Sequence, residues 1–176
     1  MRFGDFLRAT VLLSAASATL LAALTVIGLS EDSNPTATYV CFGWWALATA
    51  IGTTLGARSE ATTAIANLLA GARTQQSLPE LSPARTIANR LWPLLAVTLG
   101  AGVLSVFAPQ IGGIAAGFAI IWALAWRRQE AAVAAIEERD GARFYVDRTS
   151  PLKAIRLVRT PGFGGDFLRS PAGARE

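Results

Sequence analysis

Four stretches of this chain are apolar over about the length needed to cross a hydrocarbon core of about 30 Å, and this constrains the fold more than any other feature. Residues 10–29, 38–57, 91–108 and 111–126 contain no Asp, Glu, Lys or Arg. A helix closes its backbone hydrogen bonds within itself, so such runs read as transmembrane helices. The composition agrees: 52% of residues are hydrophobic and 16% charged, against about 25% charged in soluble domains. The expected fold is an all-α integral membrane protein, a four-transmembrane-helix bundle with cytoplasmic helical extensions and a small C-terminal tail.

Arg2 and Arg8 precede the first run, as in a secretory signal. Its apolar core is longer than the usual signal core of about 7–15 residues, and no convincing small-x-small cleavage site precedes Glu31, so a retained span is expected. The fourth run is short unless Gln110 and Arg127 lie at the interfaces. Pro109 cannot continue a helix, which predicts a tight hairpin with the third and fourth spans as antiparallel neighbours.

Lys and Arg accumulate on cytoplasmic flanks. Of the sixteen, two precede the first run, four lie in 58–90 between the second and third, and ten follow Trp126. The other side holds Glu31 and Asp32 and no basic residue. Residues 1–9 and 127–176 are therefore expected to be cytoplasmic, flanking a transmembrane domain over 10–126. Tyr39, Trp44 and Trp45 on one side and Trp92, Trp122 and Trp126 on the other fit interfacial aromatic belts.

Within the cytoplasmic loop, Ala61, Ala64, Ile65, Leu68, Leu69 and Ala72 follow helical spacing and predict an amphipathic helix over 59–73. Residues 75–83 read as a loop. Ser82 and Pro83 then start a short helix to Arg90, and Pro93 starts or kinks the third span. The fourth helix is expected to continue to Asp140, where Gly141 stops it. Residues 143–148 and 154–159 are β-prone and predict a hairpin, which alone would be marginal in water. It needs a surface, supplied by its own helices, by lipid headgroups or by a partner. Beyond Pro161 the composition favours disorder.

Two GxxxG spacings, Gly52 with Gly56 and Gly113 with Gly117, are helix-packing candidates. They suit packing within the chain, with a homodimer face as the alternative. The pentapeptide Gly4-Asp5-Phe6-Leu7-Arg8 recurs as Gly165-Asp166-Phe167-Leu168-Arg169. Such a short match arises readily by chance. Its functional reading is a pair of surface anchors, with Phe and Leu in the interface and Arg on lipid phosphate. Candidate membrane-surface or partner contacts are therefore Phe6, Arg8, Arg143, Arg148, Lys153, Arg156, Arg159, Phe167, Leu168 and Arg169.

The chain has no His, one Cys and one Met. This excludes the usual ligand sets for zinc, haem and copper and any Ser/His or Cys/His nucleophile, so no metal, cofactor or catalytic residue is assigned. Ionisable groups are missing from the span interiors, which argues against a proton-coupled pump. Cys41 reads as a small buried residue. The pI of about 10.2 reflects charge on the side that topology makes positive, so anionic headgroups are expected and nucleic acid is not.

Fifteen Arg against one Lys, with abundant Ala, points to a GC-rich bacterial genome and a plasma (inner) membrane location. The expected function is non-enzymatic: an accessory or scaffold subunit acting through its cytoplasmic face, with the bilayer, another membrane or cytoplasmic protein, or a second copy as partner. The alternative is a passive conduit or carrier subunit, its helices lined by Ser14, Ser17, Thr19, Thr49, Thr53, Thr54, Thr98 and Ser105. A lipid-directed enzyme would need a carboxylate cluster, for which Glu130, Glu137, Glu138 and Asp140 are available.

Overall fold

A computed structural model describes residues 1–31, 35–57, 63–74, 83–146 and 155–161. It is mostly helical. In chain order the elements are α1 (Phe3–Glu31), α2 (Pro35–Leu55), α3 (Thr63–Ala70), β1 (Arg73–Thr74), α4 (Pro83–Ser105), α5 (Pro109–Trp126), α6 (Gln129–Asp140), β2 (Ala142–Val146) and β3 (Leu157–Pro161).

Among the described residues, three helices are long and apolar enough to cross a membrane: α1, α4 over Ala84–Ser105, and the nearly continuous α5 and α6 over Pro109–Asp140. The second expected span forms α2, of 21 residues, an uncharged helix that carries Thr36, Thr38, Thr49, Thr53 and Thr54 and stands outside those three. α1 also begins seven residues earlier than the first apolar run. Its 29 residues extend about 43 Å at 1.5 Å per residue, well beyond one hydrocarbon thickness.

The expected short helix to Arg90 and the third span are one helix. Pro93 sits inside α4, where it withholds a single donation to the Asn89 carbonyl while the flanking turns keep theirs. The real break comes at Ala108, which is extended (φ −147°, ψ 93°) with Pro109 in the first turn of α5. A residue before proline is driven out of the helical region, and that reversal separates α4 from α5.

α4 and α5 do touch, but α5 makes its most extensive pairings with α1 and α2. The reason is side-chain size. The buried positions of α5 are Gly112, Gly113, Ala116, Gly117, Ala119 and Ala123, and α1 meets them with a face that includes Ser14, Ser17 and Thr25, all buried. Small residues on both sides allow close backbone approach. The α1 hydroxyl of Thr25 donates to the Leu21 carbonyl at 2.8 Å, so it is satisfied within its own helix.

At the end of the bundle carrying the N-terminus of α1, a second core forms. Gly141 closes α6 in the left-handed conformation (φ 58°), its N–H donating to the Glu137 carbonyl, which turns the chain into β2. β2 and β3 pair antiparallel, Phe144 opposite Arg159 and Val146 opposite Leu157. β1 adds parallel to β3, giving the order β1-β3-β2. On the far side of β2, the Val146 N–H donates to the Met1 carbonyl at 3.1 Å. The hairpin thus gains a neighbour on each side. It packs on its own helices: Phe3, Phe6, Leu7, Ile65, Leu69, Leu91, Val133, Phe144, Val146 and Leu157 form one buried cluster.

Candidate functional site

Both glycine pairs lie at the seam between α2 and α5. A Cβ on Gly52 would lie 2.8 Å from Leu124 Cβ, and one on Gly56 would collide with the Leu124 carbonyl oxygen. From the opposite helix, a Cβ on Gly113 would lie 2.8 Å from Cys41 Sγ, and one on Gly117 would strike the Trp44 indole. The close approach lets two tryptophans donate across it, Trp44 Nε1 to the Ile114 carbonyl at 3.2 Å and Trp45 Nε1 to the Gly113 carbonyl at 2.8 Å. Read from sequence as belt residues, these indoles also fasten α2 to α5. Cys41 is buried in the same seam.

Phe6 does not face a surface: it is 6% exposed and belongs to the end-module core. The helix explains this, since Phe3, Phe6, Leu7 and Thr10 share one buried face of α1 while Arg8 points outward. Arg143, Arg156 and Arg159 are exposed. Arg148, Lys153, Phe167, Leu168 and Arg169 lie outside the described residues.

The carboxylates of α6 face different partners. Glu137 Oε1 accepts the Phe144 N–H at 2.9 Å, which ties β2 to α6. Asp140 accepts from Arg139 Nε at 2.9 Å, and that hydrogen bond holds its carboxyl below the usual carboxylate range. Glu130 lies beside Gly4 of α1. Among the described residues, no group of three or more His, Cys, Asp or Glu could hold a metal ion.

A cavity of about 560 Å³ lies where α1, α4 and α5 meet the end module. Its inner end is walled by Phe3 and Ile65, each 1% exposed. Its other end reaches Val97 and Trp122, which are 66% and 51% exposed. Arg90 is the charged residue on a wall that is otherwise almost wholly apolar. Thr10 also lines it, but its hydroxyl donates to the Phe6 carbonyl at 2.9 Å. Volume, apolar lining and a single charge fit the usual form of a small-molecule site. Sequence reading counted Arg90 only as topological charge; a cation immediately before Leu91-Trp92 was the available signal of headgroup depth.

A smaller, more polar cleft of about 240 Å³ lies on the end module between Leu69, Ile136 and Phe144, with Arg139, Asp140 and Arg159 on its walls. No family model matches the chain, and no curated protein or solved structure shows significant similarity to it.

Proposed function

We propose that this chain is a non-enzymatic, multi-pass protein of a bacterial plasma membrane, an accessory or scaffold subunit with both termini cytoplasmic, acting through its end module. The observation that carries the reading is the division of the surface. The large hydrophobic side chains that stand exposed run from Leu12 to Trp122, a span that would be intolerable in water and suits lipid. From Arg127 onward the described residues leave their large apolar groups buried or half-buried and expose Arg143, Arg156 and Arg159. In this topology α2 is the fourth span, held by its glycine seam to α5.

A folded module assembled from five separated parts of the chain suits a rigid presenting surface better than a flexible tether. Its exposed arginines suit an acidic partner surface or anionic headgroups. Native mass spectrometry of the chain extracted gently from its own membrane tests this. A stoichiometric protein partner that is lost on Arg143→Glu with Arg159→Glu supports the reading; a partner-free chain argues against it.

A conduit or carrier subunit is the second reading, favoured by one feature. Ser14 Oγ is fully buried without a hydrogen-bond partner among the described residues, and one turn further along α1 the Ser17 hydroxyl accepts from Thr98 Oγ1 at 3.0 Å. Solute flux into liposomes bearing the chain, reduced by Ser14→Val, would promote it.

A further inference from the structure

The geometry points to the cavity beside Arg90 as a binding site for one anionic membrane phospholipid, an acyl chain inside and the phosphate against the guanidinium. The inference rests on the membrane reading above, and it goes beyond it by assigning a ligand.

Three observations carry it. First, the cavity is continuous with the exposed apolar belt. Val97 of α4 and Trp122 of α5 both line it and stand exposed on the outside of the bundle, so its opening lies between two helices at the lipid-facing surface. An acyl chain can enter sideways from a bilayer without crossing water. Second, the interior is apolar to its end, where Phe3 and Ile65 belong to the end-module core. Hydrocarbon is the chemistry that such a wall recognises, since burying polar groups there would cost several kcal/mol each without partners. Third, Arg90 is the charged group among the described residues that line the cavity. Arg90 lies on the basic side of the bundle, one residue before the apolar run, and Trp122 and Trp126 pack tilted against each other beside the cavity with ring centroids 5.7 Å apart. Tryptophan and arginine together mark headgroup depth, where phosphate is the complementary group.

The chain's own packing explains why the space exists. α5 is drawn toward α1 and α2 by its small residues, and α4 packs on both α1 and α5 less extensively. Leu94, Val97 and Trp122 line the space left between α4 and α5 at this level.

The test uses the full chain in detergent, offered dipalmitoyl phosphatidylglycerol and dipalmitoyl phosphatidylcholine in equal amounts and examined by native mass spectrometry. One phosphatidylglycerol retained per chain, in preference to phosphatidylcholine, is expected. Arg90→Gln should lower that retention about tenfold, the worth of one charge-assisted hydrogen bond, and Arg90→Lys should keep most of it. Leu94→Trp, which fills the cavity, should abolish retention of either lipid while the melting temperature holds. Equal retention of the two lipids by the unaltered chain overturns the site, as does undiminished phosphatidylglycerol in Leu94→Trp. If Leu94→Trp does not fold, Arg90→Gln decides, and retention equal to that of the unaltered chain overturns the site. Flotation with vesicles separates the two readings. A chain that does not float removes the membrane reading and the lipid with it, whereas one that floats but does not discriminate removes the site alone.

Discussion

Arg128 Nη1 donates to the Ala57 carbonyl at 2.8 Å, joining the N-cap of α6, two residues past α5, to the turn that follows α2. The carbonyls at a helix C-terminus lack intrahelical donors and carry partial negative charge, so a guanidinium placed there satisfies one and complements the dipole. α2 and α5 are thereby fixed at both ends of their seam, by this bond at one and by the Trp44 and Trp45 indoles at the other.

Arg128→Ala should cost about 1 kcal/mol, the net worth of an exposed hydrogen bond to a charged group. Thermal unfolding followed by circular dichroism in detergent would show a lowered midpoint, with Arg128→Lys recovering part of it. A midpoint indistinguishable from that of the unaltered chain would mean the bond carries no stability.

The glycines separate into two kinds. A Cβ on Gly117 would meet the Trp44 ring, whereas one on Gly100 would meet nothing within 4 Å. Gly117→Ala should destabilise the bundle by about 1–3 kcal/mol through overpacking. Gly100→Ala, in a helix interior, should be neutral or stabilising by up to about 1 kcal/mol. Equal effects in the same unfolding assay would refute the placement of α2 on α5.

Phe6 and Phe167 sit in identical pentapeptides, and only Phe6 is among the described residues. Because Phe6 is packed into the end-module core, Phe6→Ser should cost about 3–5 kcal/mol, as for other large-to-small changes at buried aromatics. Hydrogen exchange in β2 and β3 is the sensitive probe, and their amides should lose protection. Retained protection would place Phe6 outside that core.

Glu137 serves as a backbone acceptor for β2. Glu137→Ala leaves the Phe144 N–H without that acceptor and should cost about 1–2 kcal/mol, while Glu137→Gln keeps an acceptor oxygen and should cost less. Protease nicking at the start of β2 would report the difference; identical rates in the two variants would argue that the carboxylate holds nothing there.

Much of the architecture follows from local chemistry that one strand of sequence displays by itself. The apolar runs require helices because backbone polar groups must be satisfied within each segment. Pro109 breaks the chain because it excludes the preceding residue from helix, and Gly141 ends α6 because it accepts positive φ at no cost. The β-prone tail formed a hairpin for the same local reasons.

Other features depend on which distant surfaces meet, and no local rule contains that. The start of α1 reads as a short polar lead before a span, yet Phe3, Phe6 and Leu7 become core once α3, α4, α6 and the hairpin close over them. Pro93 reads as a boundary, but α4 carries it because a single lost donation is small against the packing of a whole helix. The GxxxG spacings announced close approach without saying to what; their shared partnership across α2 and α5 follows from complementary side-chain volumes. The cavity beside Arg90 is the extreme case. It is a space lined by groups from separate elements, and an absence of atoms leaves no mark on the sequence of any one of them.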